Sequence, residues 1–385
     1  MLILFSLISV LIWLVLFFAW GNFWHTWESD FDRTQFPPPQ TWPAVIAIVP
    51  ARNEASSIAA VVKSLAAQAY LGEFSAIIVD DHSNDGTAEL AEKAVLETTA
   101  NPRIRLIRAT ELSNGWTGKL SALNAGVLQS SDSPPEFFWF TDADVVHASD
   151  TLERLVSCAQ IRKSDLTSLM VQLNAETFAE RLLIPPFLYF FLMLYPPKWT
   201  AAGNSRTAGA AGGCILLRRT AFERIGGLST IRSEVIDDCA LARVVKKRGG
   251  KTWMGLTRAS QSLRSYSTFS EIREMIARTA YTQLRYSSLL LVGTLLALTL
   301  AFLSPVILTF STNIRVWPLA LAAWCLMTAS FLPVLTYYRL TPVWAPMLPL
   351  AALFYGYATV LSAVRYWLGR GAQWKGRTQA RRSSP

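Results

Sequence analysis

From its amino end, the chain alternates long apolar stretches with mixed ones. Residues 2–20, LILFSLISVLIWLVLFFAW, hold no charged side chain. As a helix they reach across a hydrocarbon core about 30 Å thick. A signal peptide competes with this reading. No basic segment precedes the apolar run and no convincing small-residue cleavage site follows it, so a retained anchor is expected. From about residue 288 the chain turns apolar again, with candidate spans at about 288–310, 315–337 and 343–364. Pro305, Pro318, Pro333, Pro342, Pro346 and Pro349 punctuate this region. Membrane helices tolerate proline where neighbours satisfy the carbonyls it frees. The pattern predicts an anchor at 1–22, a globular domain at 42–286, an apolar bundle at 287–366 and a basic tail at 367–385. The stiff stretch FPPPQTWP at 36–43 leads into the globular part.

Within the globular part, short apolar runs alternate with helical patterns. AVIAIVP (44–50), SAIIVDD (75–81), RIRLIR (103–108) and FFWFT (137–141) read as strands. This is an α/β pattern, a mostly parallel sheet flanked by helices. In such sheets the ligand site lies beyond the carboxyl ends of the strands. Polar clusters stand there: ARNE after the first run, DDHSNDGT after the second, TDAD after the fourth.

Those clusters suggest chemistry. Asp142 and Asp144 are one residue apart, and two such carboxylates resist joint ionisation unless a cation or polar ligand sits between them. The bland alternative is a solvated loop with Asp150 capping the next helix. Pro50, Ala51, Asn53 and Glu54 form a turn that can fix a base or ribose, and Asp81 can accept from a base N–H. Ser83, Asn84 and Asp85 read as a turn and helix cap. No G-x-G-x-x-G or Walker pattern follows the first strand, so a phosphate needs another holder. Mg²⁺ or Mn²⁺ on the D-x-D pair suits that task.

Composition adds the membrane. Hydrophobic residues make up 51% of the 385 and charged ones 16%, too apolar for an ordinary soluble protein. The net charge is +9, and six basic residues from Arg365 onward, without an acid, carry much of it. A basic tail beside a span reads as facing cytoplasmic anionic lipid, and no nucleic-acid-reading motif accompanies it. Three full C-terminal spans would leave the tail outside, so the proline-rich third segment is expected not to cross fully. Cys158, Cys214, Cys239 and Cys325 have no metal-type spacing and suggest neither disulfides nor zinc.

Taken in order, VPARNE, VDDHSNDGT, GWTGKLSALNAG, FTDADV, GGCILLRRTAFERIGGL and DDCALARVVKKRGG resemble a family 2 glycosyltransferase of the GT-A fold, over about residues 44–286. The anchor, the apolar bundle and QWKGR look like the hopene-associated branch, which is similar to ceramide glucosyltransferases. The resemblance implies an inverting, metal-dependent enzyme that moves a sugar from a nucleotide-diphospho-sugar, most commonly UDP-linked, to a lipid acceptor. It implies a multi-pass protein of the inner (plasma) membrane with its catalytic domain facing the cytoplasm. Asp142 would face the nucleoside, Asp144 would hold the metal, and Asp238, the second acid of an E-D-x-x-L-x-x-R-like segment, would be the base. Here Asp237 stands where glutamate is usual.

Lys119 opens a helix suited to phosphate. Gly212 and Gly213 would let the backbone approach the sugar or acceptor. Gln283, Arg285 and Tyr286 only approximate the family's Q/R-x-x-R-W signature, which argues against long-chain polymer synthesis. A polysaccharide synthase and an inactive relative scaffolding a lipid-synthesis complex are the competing classes. The apolar, proline-broken stretch 180–199 is expected to lie in the membrane interface and guide a lipid, with a core helix as the alternative.

Overall fold

The computed structural model describes residues 1–98, 103–130 and 134–370, and the backbone alone of 373–374 and 377–378. Eight strands form one sheet: β1 Val45–Ala51, β2 Phe74–Asp80, β3 Arg103–Arg108, β4 Phe137–Thr141, β5 Val145–His147, β6 Leu166–Gln172, β7 Cys214–Arg218 and β8 Thr252–Ser262. Their order is β3-β2-β1-β4-β7-β6-β8-β5. All but β5 and β7 share one direction, so the sheet is mostly parallel as expected. The four apolar runs all became strands.

Strand β1 shows why the sheet is covered on both faces. Val45, Ala47, Val49 and Ala51 point into one core with the helix Ile58–Ala66 and the helix Thr151–Arg162. Ile46 and Ile48 point into the other, with Leu120, Leu123 and Leu241. Side chains alternate with period two, so a strand buried on both faces reads as a continuous apolar run.

A third layer joins the sheet to the apolar helices. The helix Phe178–Leu194 starts with a capping box, Thr177 Oγ1 accepting from the Glu180 N–H (3.2 Å) and Glu180 Oε2 from the Thr177 N–H (3.0 Å). Its Leu183, Ile184, Tyr189 and Phe190 share one core with Met254 and Leu256 of the sheet and with Phe302, Phe331 and Leu348 beyond. The interfacial role expected for 180–199 is therefore not what its buried face does. Phe190 packs edge-on against Phe302 and at a tilt against Tyr355, and the core alternative holds for it. Phe187 and Phe191 of the same helix instead line the cavity described below.

Three C-terminal elements are long and apolar enough to cross a membrane: Ser288–Thr309, Trp317–Tyr337 and Pro342–Trp367. The third, expected to stop short, is the longest at 26 residues. The amino-terminal helix is Leu2–Phe18, 17 residues, slightly shorter than the apolar run that forms it. It repairs a break in the first span. Pro305 has no N–H to offer the carbonyls four and five residues back, and the backbone there loosens into a π-helical turn at Thr299–Leu303. Ser9 Oγ donates to Leu300 O (2.9 Å) and Trp13 Nε1 donates to Ala301 O (2.6 Å). Both freed carbonyls thus take donors from the amino-terminal helix.

Candidate active site

The carboxyl ends of β1, β2 and β4 lie together, and the chain enters β7 at the same edge, Cys214 facing Thr141. Here a cavity of about 1160 Å³ opens. Pro50, Glu54, Lys119, Asp142 and Asp144 line one side of it. Gly212, Gly213, Asp237, Asp238 and Tyr286 line another. Ala51, Asn53, Asp81, Gln283 and Arg285 are not among its lining residues.

Behind the rim, the first two polar clusters brace each other. The Asn53 N–H donates to Ser83 Oγ (3.0 Å), and Asn53 Oδ1 accepts from the Asn84 N–H (3.1 Å). Asp85 accepts from the N–H groups of Ala55 and Thr87, both at 3.1 Å. Ser83, Asn84 and Asp85 therefore fill the structural role expected of them, and Asn53 joins them in it. Asp81 is buried, with the Arg52 guanidinium 3.8 Å and His82 Nδ1 3.3 Å from its carboxylate.

The D-x-D segment is held from beneath. Thr141 Oγ1 donates to Gly213 O (2.9 Å), so its lone pair takes the proton of His147 Nε2 (2.8 Å). His147 Nδ1 is then the acceptor for Ser260 Oγ (2.8 Å). Burial pushes the His147 imidazole down to about 3, so it stays neutral. This buried relay ties β4, β5, β7 and β8 together under Asp142 and Asp144.

Lys119 stands between the two acidic pairs. Its Nζ lies 2.8 Å from Asp142 Oδ1 and 3.4 Å from Asp237 Oδ2. Burial alone would lower its pKa, but Asp142 and Asp237 outweigh it and the ammonium is held charged, above the ordinary lysine range. Asp144 has no such partner: burial, then Asp142 and Glu54, push it up to about 6. Burial and Asp237 likewise push Asp238 up to about 6. Asp238 is clamped, Oδ2 accepting from the Gly212 N–H (2.8 Å) and Oδ1 from the Cys239 N–H (2.6 Å). Its helix, Asp237–Lys247, is pinned at the far end by Lys246, whose Nζ donates to the carbonyls of Trp199, Thr200 and Thr207.

The glycines serve this packing. A Cβ on Gly212 would lie 3.2 Å from Asp238 Oδ2 and 3.4 Å from Lys119 Nζ. One on Gly213 would lie 2.8 Å from Val171 Cγ2. Cys239 is buried with its thiol pushed well up by burial, and its Sγ donates to Ala210 O (3.5 Å), an inert setting. Of the acceptor-side residues, Gly212, Gly213, Asp237 and Tyr286 line the cavity, and Gln283 and Arg285 do not. Gln283 donates to Tyr195 OH (2.6 Å), and Arg285 occupies a left-handed turn at φ +51°. Within QWKGR, Lys375 and Gly376 lie outside the described residues. The sequence reading missed Arg264, Tyr266 and Arg278, which line the cavity but carry no motif.

A divalent cation fits the donor side. Among the described residues no group of three or more His, Cys, Asp or Glu side chains could hold an ion. Asp144, raised by burial and then by Asp142 and Glu54, is the group a cation would relieve. One or two carboxylates, with the remaining positions left to phosphate and water, is how Mg²⁺ and Mn²⁺ are usually bound.

Comparison with known proteins agrees with this architecture. The mannosyltransferase PcManGT from Pyrobaculum calidifontis, solved in complex with GDP-Man and Mn²⁺, superposes with a TM-score of 0.52 at 17% identity, over 94% of this chain and 99% of that one. Mannosyl-3-phosphoglycerate synthase from Rubrobacter xylanophilus aligns at 18% identity with a TM-score of 0.41, over 68% of this chain and 82% of that one. S. aureus TarS aligns at 15% identity with a TM-score of 0.40, over 84% of this chain and 55% of that one. No curated protein matches the sequence. At such identities the likeness is one of fold. Residues 46–226 match the family described as glycosyl transferase family 2, and the sheet with its flanking helices is GT-A-like.

Proposed function

We propose that this protein is a membrane-bound inverting glycosyltransferase that moves a sugar from a nucleotide-diphospho-sugar, UDP-linked by preference, to the hydroxyl of a membrane lipid. One observation carries the reading. A single cavity joins the D-x-D pair to Asp238 and continues to the apolar helices. Donor chemistry, a base and a route from the membrane then share one space. The hopene-associated resemblance makes hopanoid or glycolipid synthesis the context. The catalytic domain faces the cytoplasm of the plasma membrane, where nucleotide sugars are made.

Roles follow from position. Asp142 and Glu54 bind the nucleotide side of the donor, with Pro50 at the rim and Asp81 supporting the base. Asp144, with Asp142, would hold Mg²⁺ or Mn²⁺, which would supply neutralisation of charge on the diphosphate. Asp238 takes the proton of the acceptor hydroxyl. The hydroxyl oxygen forms its bond to the anomeric carbon from the face opposite the leaving group, and the bond from that carbon to the phosphate oxygen breaks. A base works best with a pKa near the operating pH, and at about 6 Asp238 is better placed than an ordinary aspartate. Lys119 pairs with Asp142 and Asp237 across the site.

The test is to incubate membranes containing the protein with radiolabelled UDP- and GDP-sugars and to extract the lipid. Label in the lipid fraction that disappears in Asp238→Asn supports the reading. No incorporation from any donor, or label that survives the substitution, removes it.

A further inference from the structure

Beyond the carboxylates the cavity runs toward the apolar helices, and its free charge reverses. Of the acids beyond the D-x-D and D-D pairs, Glu271 and Glu274 are committed, and the exposed Glu234 is without an ion pair among the described residues. Glu271 Oε2 accepts from the Thr268 N–H (3.0 Å) in a capping box. Glu274 forms a two-pronged pair with Arg365 (2.5 and 2.9 Å). Arg264, Arg278 and Arg370 line the cavity and are exposed, Arg264 following Leu263, whose N–H donates to Asp144 O (2.7 Å). None of the three forms an ion pair with a carboxylate among the described residues. Arg264 bears on Asp144 only through its field, and its guanidinium lies over the Tyr266 ring at 5.3 Å. Arg278 bears on the same tyrosine. Phe187, Phe191, Met275, Leu361 and Leu368 supply an apolar wall beside them.

Guanidinium forks without carboxylates match a phosphate group. An apolar wall continuous with helices long enough to cross a membrane matches acyl or isoprenoid chains. An uncharged acceptor would leave these three cations to the donor's diphosphate alone. We propose that this end of the cavity binds the phosphate-bearing head group of an anionic lipid, and that the acceptor belongs to that class. The proposal rests on the lipid-acceptor reading above and narrows it.

The test needs no turnover. Full-length protein in neutral-detergent micelles is mixed with dioleoyl phosphatidic acid, or with dioleoylglycerol, which has the same chains and no phosphate. Retained lipid is counted by native mass spectrometry. The parent should retain the first at least tenfold better than the second. R264Q/R278Q should lose that preference; both side chains are exposed, so its unfolding temperature should match the parent's. R315Q removes an exposed arginine in the turn between two apolar helices, outside the cavity, and should retain phosphatidic acid as the parent does.

Equal retention of the two lipids, or equal loss in R315Q and the double variant, overturns the proposal. So does a third outcome: inorganic pyrophosphate binds the parent and not R264Q/R278Q while phosphatidic acid is not retained. The arginines would then serve the donor's diphosphate. Failure of the transferase reading looks different, since lipid would be retained while no nucleotide sugar gave labelled product.

Discussion

Asp238 carries the sharpest consequences at the scale of one residue. With a pKa of about 6 it is protonated below that pH, so kcat/KM for transfer should fall as pH drops through about 6. Asp238→Asn should keep donor binding and lose about 10²–10⁴-fold in transfer, which titration and turnover of the same preparation separate. Stability moves the other way. A carboxyl raised in the folded state favours folding most below its unfolded value, and that contribution is lost as pH rises through about 6. Asp238→Asn removes that pH dependence, so the stability difference between the variant and the parent should change between pH 4 and pH 8 in the variant's favour. Chemical denaturation at the two pH values checks this. Asp144→Asn should fold normally but lose Mn²⁺-dependent affinity for UDP, because a ligand charge is gone. Calorimetry showing unchanged affinity would take Asp144 out of the metal role. The D-x-D and D-D acids were legible because each follows a strand or opens a helix in the sequence. Arg264 and Arg278 were not, since nothing local marks which distant segments close over a cavity.

Among the elements, the helix Phe178–Leu194 divides its duties by face, so neighbouring phenylalanines should behave differently. Phe190→Ser opens the core and should cost about 3–5 kcal/mol, the range for truncating a buried phenylalanine, with expression and all activity falling together. Phe191→Ser, on the cavity wall and only partly buried against that core, should cost less stability than Phe190→Ser and keep donor hydrolysis while weakening activity on lipid. The strands show the reverse problem of legibility. β1, β2 and β4 announce themselves as apolar runs. LTSLMVQ of β6 and TWMGLTRASQS of β8 do not, because their buried hydroxyls are satisfied across the sheet. Ser168 Oγ donates to Ala211 O, Thr257 Oγ1 to Asp30, and Ser260 reaches His147. A buried polar group with a partner looks in the sequence like an exposed one. The amino-terminal helix offers a cleaner test. Trp13→Phe should leave Ala301 O without its indole donor, at about 1–3 kcal/mol. Adding Pro305→Ala supplies a backbone N–H for that carbonyl, and the double variant should recover much of the loss in thermal unfolding.

For the whole molecule, one core joins Met170, Met254 and Leu256 of the sheet to the helix Phe178–Leu194 and the apolar bundle. The bond from Trp13 to Ala301 spans 288 residues of sequence. On the ribosome, at about 5–20 residues per second, the first helix waits roughly 15–60 s for its partner to be made. Throughout that interval its indole N–H and Ser9 hydroxyl have no mate in the first span. The last helices to emerge therefore complete the first one. A nascent chain stalled before residue 300 would expose those donors to quality control, however well its catalytic sheet had already folded.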